Sequence, residues 1–153
     1  KRYPQTRLLL VGPYEDKIDP LMPETMRLID ECEAIEAMGS QTDVRPFYER
    51  SDVLVFPSYR EGFPNVVIEA GAMDLPSIVT DINGAREIIV NHENGLIVPP
   101  RDEAALYEAM EWMLNHPEEC QRMGQKSRKM VADRYEQGFV RQCLKNYYKE
   151  ILP

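Results

Sequence analysis

The 153-residue sequence predicts an α/β fold, a parallel sheet flanked by helices. Two features point to it. Short apolar runs rich in Val, Ile and Leu alternate with amphipathic stretches of helical period up to Pro99-Pro100. Three consecutive amphipathic helices then follow, with no strand pattern between them. The composition, 43% hydrophobic and 29% charged, is that of a globular chain. At this length roughly 70% of the unfolded surface is buried on folding, so neither disulfides nor a structural metal are needed.

Arg7-Leu8-Leu9-Leu10-Val11-Gly12-Pro13 reads as a strand buried on both faces and stopped by Gly-Pro. Pro23 suits the first turn of a helix reaching Cys32, with Met26, Leu28 and Ile29 at helical spacing. Ala34 to Gly39 is a strand by its length and its glycine stop, and a short helix runs near Pro46 to Arg50. Asp52 to Ser58 is the clearest strand. A loop, Tyr59 to Phe63, leads into a helix from about Pro64 to Met73. Ser77 to Thr80 is the next strand, Asn83-Gly84 opens a short helix through Ile89, and Asn94-Gly95 turns into the strand Leu96 to Val98. Asp102 caps a helix carrying Leu106, Met110, Met113 and Leu114. Pro117 starts a second, with Cys120, Met123, Ser127, Met130 and Val131 on one side. A third, from about Gln137, aligns Val140, Leu144, Tyr147 and Ile151. These stripes require burial against the sheet or against something outside this chain. The whole, 1–153, is read as one domain, with its sheet part over about 7–100 and its C-terminal helices over about 102–152.

The formal net charge of −8 argues against non-specific nucleic-acid binding, whose affinity comes from neutralising phosphates. It leaves room for a small phosphorylated ligand, which answers to a local field. Cys32, Cys120 and Cys143 are odd in number and fit no zinc spacing, so they read as reduced, packed thiols. No apolar run approaches the ~20 residues of a membrane span.

In parallel α/β sheets ligands bind beyond the carboxyl ends of the strands. The loops after Gly12, Gly39, Ser58 and Thr80 lie there, and the third is the informative one. Gly62 lets the backbone turn sharply and approach a ligand. Pro64 and Asn65 open a helix whose first amides, with the positive end of the helix dipole, suit a diphosphate. Glu61 and Glu69 flank those amides, and each needs a hydroxyl to hold if an anion is to sit between them. Sugars and riboses carry such hydroxyls in pairs. The plain alternative is that Glu61 caps the helix and Glu69 is a solvated acid.

Phe56-Pro57-Ser58-Tyr59-Arg60-Glu61-Gly62-Phe63-Pro64-Asn65, continuing to Glu69-Ala70-Gly71-Ala72-Met73, resembles the retaining glycosyltransferases with a GT-B fold, of the group 1, family 4 type. Strand, Pro-Ser, Glu-Gly-Phe and a second glutamate eight positions on follow that family's pattern. Asp43-Val44 before Tyr48, Ser51-Asp52, Leu75-Pro76, Gly84 with Glu87, and Asn94-Gly95 with Pro99-Pro100 add to it. The resemblance runs to about Asp102, is weaker in the last helices, and is similar to that of capsular polysaccharide enzymes. It implies a Rossmann-like domain forming the C-terminal half of such an enzyme, which would transfer a hexosyl group from a nucleotide diphospho-sugar to a glycan or lipid-linked acceptor. By the same resemblance Glu61 is the catalytic-site carboxylate at the donor sugar's hydroxyls. Gly62, Phe63, Pro64 and Asn65 then hold sugar and diphosphate, Glu69 holds the ribose, and the loop from Gly39 to Val44 grips the base. It implies no metal and no cofactor, and a cytoplasmic setting at the inner face of a membrane.

Two departures stand out. Asp74 replaces a glycine common before the Leu-Pro pair. The family's opening strand and helix, with a basic pair for the diphosphate, have no counterpart, since Lys1 and Arg2 do not fit that context. That strand belongs mid-sheet, so its absence predicts altered pairing or an open edge through which the chain associates with itself, and no sugar transfer by this chain alone. Other chemistry is weakly supported. His92 and His116 lack ligand-spaced partners and read as surface or capping residues, and Tyr147 and Tyr148 as packing residues. Asp16 and Asp19 form no Asp-x-Asp, against the metal-dependent GT-A class, and Ser58 lacks a G-x-S-x-G setting. The alternative functions are a GT-B-fold sugar-nucleotide epimerase or a non-catalytic binding or assembly module.

Overall fold

The computed structural model describes residues 2–14 and 20–152, so Asp16 and Asp19 lie outside the described residues. The elements follow the expected order: β1 Leu8–Val11, α1 Pro23–Glu31, β2 Ile35–Gly39, α2 Arg45–Glu49, β3 Leu54–Phe56, α3 Asn65–Ala72, β4 Ser77–Thr80, α4 Ala85–Ile88, β5 Gly95–Val98, α5 Glu103–Asn115, α6 Pro117–Tyr135 and α7 Gln137–Ile151. The chain divides into two compact units, residues 1–49 and 50–153. Each holds its own parallel sheet, β1-β2 in the first and β3-β4-β5 in the second.

In the first unit β1 pairs with β2 from Leu8 opposite Ile35 to Val11 opposite Gly39, with an irregularity before Val11. Contrary to the sequence expectation, β1 is not buried on both faces: Leu8 and Val11 are each 39% exposed. The reason is the small size of the unit. Among its described residues it has two strands, and α1, the longer helix, buries Ile29 alone.

The second unit carries the core. All of β4 is buried, and β5 is buried but for Ile97. One apolar cluster gathers Ile78, Leu96, Val98, Ala109, Met113, Cys120 and Met123, which joins one face of the sheet to α5 and α6. The other gathers Val67, Val79, Ala85, Ile88 and Ile89, which joins the sheet to α3 and α4. The sheet is therefore covered on both sides, as alternation of strand and helix requires. Burial pushes the Cys120 thiol pKa up. Cys143, in contrast to the packed thiol expected, is exposed.

The start of α5 is as predicted: Asp102 caps it, its carboxylate accepting from Ala105 N at 2.9 Å. His116 stands between α5 and α6, its ring stacked on Trp112 at 4.4 Å and its Nδ1 2.7 Å from the Trp112 carbonyl. The stripe of α7 stays half-exposed, with Val140, Leu144, Tyr147 and Ile151 at 46%, 52%, 57% and 51%. Tyr147 and Tyr148 accordingly do not act as core packing residues. Among the described residues no helix is long and apolar enough to cross a membrane.

Asn94, marked in the sequence as a turn residue, is 1% exposed and holds the turn before β5. Its Oδ1 accepts from Val90 N at 2.7 Å, and its Nδ2 donates to the Ile88 carbonyl at 3.1 Å. Asn94→Ala removes both bonds and leaves polar backbone without a partner where water is scarce. A loss of about 2–3 kcal/mol is expected, read as a lower urea midpoint with an unchanged m-value.

Candidate functional site

The site lies at the carboxyl ends of β3 and β4, where the chain leaves the sheet through two loops. The Rossmann-like order of the unit directs both loops to the same end. Between them is a pocket of about 270 Å³ lined by Tyr59, Arg60, Glu61, Asp81, Ile82, Asn83 and Arg86.

Glu61 lies in this pocket, half-buried. The Ser58 hydroxyl donates to its Oε1 at 2.9 Å. Ser58 is itself tied to the neighbouring strand, because the Thr80 hydroxyl donates to the Ser58 carbonyl. Across the pocket Arg86 is held by two acceptors, Asn83 Oδ1 at 2.6 Å and Asp81 Oδ1 at 3.2 Å. At the rim the Arg101 guanidinium sits 5.4 Å from the centre of the Tyr59 ring. The pocket thus sets one carboxylate against an acid, an amide and a guanidinium, a lining suited to an uncharged, hydroxyl-rich ligand.

Gly62, Phe63, Pro64 and Asn65 carry the chain from the pocket into α3. Pro64 is buried, while Gly62, Phe63 and Asn65 are exposed. The N-cap residue of α3, Pro64, has no side-chain bond to give its first turn, in which Val67 N donates to the Pro64 carbonyl at 3.2 Å. The turn at Gly62 does not use the left-handed backbone region, and a Cβ there would meet nothing within 4 Å. The sharp turn read from the sequence is supplied instead at Gly84, on the facing loop, with φ +80°. Gly84 packs directly against the Gly62 carbonyl and Pro64. Phe63 is fixed from behind, edge-on to Tyr135 at 5.5 Å, and the Tyr135 hydroxyl donates to the Glu87 carbonyl at 3.2 Å.

Glu69 is exposed on the second turn of α3 and does not line the pocket. Glu61 thus precedes the start of α3 and Glu69 lies within it. Gly39 and Val44 belong to the first unit. Gly39 ends β2 with φ +63°, and its carbonyl accepts from Gly12 N at 2.9 Å. Val44, half-buried, accepts through its carbonyl from Phe47 N and Tyr48 N. Beside it Arg45 grips Asp43 with Nε at 2.8 Å and Nη2 at 2.7 Å, which lowers the Asp43 pKa to about 2.

Sequence reasoning gave no site role to Thr80, Asp81, Asn83 or Arg86, reading Asn83 only as a turn residue, and it took Ser58 as part of the Pro-Ser pattern and as a nucleophile without the right setting. Their common signal is position: each follows or ends a strand whose carboxyl end faces the pocket.

The sequence matches the family described as Glycosyl transferases group 1 over residues 1–130. It is 36% identical over 111 residues to the capsular polysaccharide biosynthesis glycosyltransferase CapM of Staphylococcus aureus, covering 72% of this chain and 29% of that protein. Among solved structures, sucrose-phosphate synthase from Thermosynechococcus elongatus superposes with a TM-score of 0.83 at 28% identity, over 98% of this chain and 39% of that one. Anabaena HepE in complex with UDP-glucose gives 0.87 at 17% identity, over 97% and 42%. The chain therefore spans well under half the length of these relatives.

Proposed function

Because the chain belongs to the glycosyl transferases group 1 family, whose GT-B members share its fold, we propose that it is the donor-binding part of a retaining hexosyltransferase. The donor is a nucleotide diphospho-sugar. The acceptor, a glycan or a lipid-linked sugar, is held by parts of the enzyme beyond these residues. Binding of the donor, not transfer, is the activity assigned to these 153 residues by themselves. The kinship with CapM favours a role in capsular or similar polysaccharide assembly.

The observation that carries this reading is the pocket at Glu61. Its volume of about 270 Å³ falls just below the range of about 300–1,000 Å³ usual for whole drug-sized ligands. It suits one pyranose ring and not an entire nucleotide sugar. The diphosphate then extends along the N-terminal end of α3, whose helix dipole favours negative charge, and Glu69 takes the ribose hydroxyls. No metal is needed in this arrangement. Glu61 accepts from sugar hydroxyls and stabilises positive charge as the glycosidic bond to phosphate breaks. The departing phosphate takes the acceptor's proton on the same face, which retains the anomeric configuration. HepE, which shares the fold, has been seen with UDP and with UDP-glucose, and that pair of ligands is the natural first probe.

Thermal unfolding measured with UDP, GDP, ADP and CMP tests this. A nucleotide at ~100 times its dissociation constant stabilises by about 2.7 kcal/mol, a shift of roughly 5–10 °C for a chain of this length. One nucleotide is expected to give that shift in the wild type and to lose it in Glu69→Ala. Absence of a shift with all four would remove the donor site from this chain.

A further inference from the structure

Resting on the donor-site reading above, we propose that Ser58 is a positioning residue for Glu61, and that Thr80 fixes Ser58 in turn. A glutamate has three side-chain torsions, and ordering one costs rotamer freedom. Glu61 stands in a loop, half-buried, at the wall of the pocket. The Ser58 hydroxyl orders it through its 2.9 Å bond to Oε1. Its other acceptor within reach, the Arg60 carbonyl, is at 3.5 Å and competes poorly.

Ser58 is well placed to do this because it follows β3 directly. Its carbonyl accepts from the hydroxyl of Thr80, a β4 residue 3% exposed. The β3-β4 ladder, with Phe56 opposite Val79, holds the two strand ends together. The rigidity of the sheet is thereby passed through two hydroxyls to one carboxylate. A carboxylate accepts about four hydrogen bonds. One given to Ser58 leaves Oε2 and part of Oε1 for a pair of sugar hydroxyls, already aimed.

A serine that merely closed the turn from 58 to 61 would affect the nucleotide and the nucleotide sugar alike. One that aims Glu61 affects the sugar's share of binding. Calorimetry on the full chain with UDP and UDP-glucose, GDP and GDP-mannose, and ADP and ADP-glucose separates the two. For the pair that the wild type binds, Ser58→Ala is expected to leave nucleotide affinity within about twofold. It should weaken the nucleotide sugar by roughly 10- to 100-fold, the size of one charge-assisted hydrogen bond. Ser58→Thr restores most of that loss, and Ser58→Ala adds nothing further in a Glu61→Gln background. Equal weakening of both ligands overturns the positioning role, as does an unchanged nucleotide-sugar affinity in Ser58→Ala where Glu61→Gln weakens it. A Glu61→Gln variant that binds the sugar as well as the wild type, or a wild type that binds no pair, overturns the donor-site reading and this inference with it.

Discussion

Gly124→Ala is expected to lower the midpoint of thermal unfolding by roughly 6–12 °C, although alanine is the better helix former by about 1 kcal/mol. Gly124 lies inside α6, and a Cβ there would stand 1.9 Å from the Asp74 carbonyl oxygen and 2.8 Å from its carbon. The clash is with backbone, and that backbone has little freedom to retreat. Asp74 follows the C-cap of α3, where its N–H donates to the Gly71 carbonyl at 3.1 Å and the next N–H, of Leu75, reaches back to the Ala70 carbonyl at 3.0 Å. This is the doubly bonded helix stop in which the residue after the cap is left-handed, and Asp74 has φ +61°. Leu75 is 6% exposed and anchors the turn in the core. The same approach of α6 to α3 places Gly71 against Ser127 and Val131, with a Cβ 2.7 and 2.9 Å from them. Overpacking at such a contact costs about 3 kcal/mol, and 2–4 °C is lost per kcal/mol in a chain of this size. A variant that melts at or above the wild-type temperature would mean that α6 does not press on the end of α3.

That helix stop shows what was legible in the sequence and what was not. The existence and order of the elements were readable, because apolar runs of three to five residues and helical stripes are local patterns. So was the cap at Asp102, and so were the turns at Asn83-Gly84 and Asn94-Gly95. Asp74 stands out in the sequence only as a departure from a glycine. The structure gives the physical reason for the glycine: the position is left-handed, which Asp tolerates better than most residues. Arg128 holds it there, Nη1 donating to the carboxylate at 2.8 Å and to the Ala72 carbonyl at 3.2 Å. No pattern within one segment announces a partner 54 residues away. Burial of β1 was misread for a related reason. An apolar run says that a strand is able to be covered on both faces, while coverage itself depends on how many helices its neighbourhood supplies. In the pocket, the acidic and glycine positions of the loop after β3 stood out by residue type and by resemblance. Ser58 stood out there too, within the Pro-Ser pattern, but the task of its hydroxyl and that of Thr80 did not, since serine and threonine at strand ends are common and only pairing in space gives them one.

The loop geometry also sets the second large effect, at Gly84. Its backbone has φ +80° and ψ −53°, a region that costs a non-glycine residue about 1–3 kcal/mol. A Cβ would in addition stand 2.4 Å from the Gly62 carbonyl oxygen and 3.1 Å from Pro64 Cδ. In Gly84→Ala the loop after β3 must move away from the loop after β4, and with it go Glu61 on one side and the start of α3 on the other. The unit keeps its core, since the apolar clusters on both faces of the sheet rest mainly on residues outside these loops. The expected result is therefore a split. The melting temperature without ligand falls by roughly 4–12 °C, and the further rise produced by nucleotide in the wild type disappears at the same concentration. Gly62→Ala is the matched control, because its Cβ meets nothing within 4 Å and its φ is ordinary; without ligand it should melt within about 2 °C of the wild type. If Gly84→Ala melts low yet keeps its full response to nucleotide, the loop after β3 does not depend on its neighbour for its shape. If it keeps both, the close approach of the two loops is not a feature of the folded protein, and the pocket between them loses its wall.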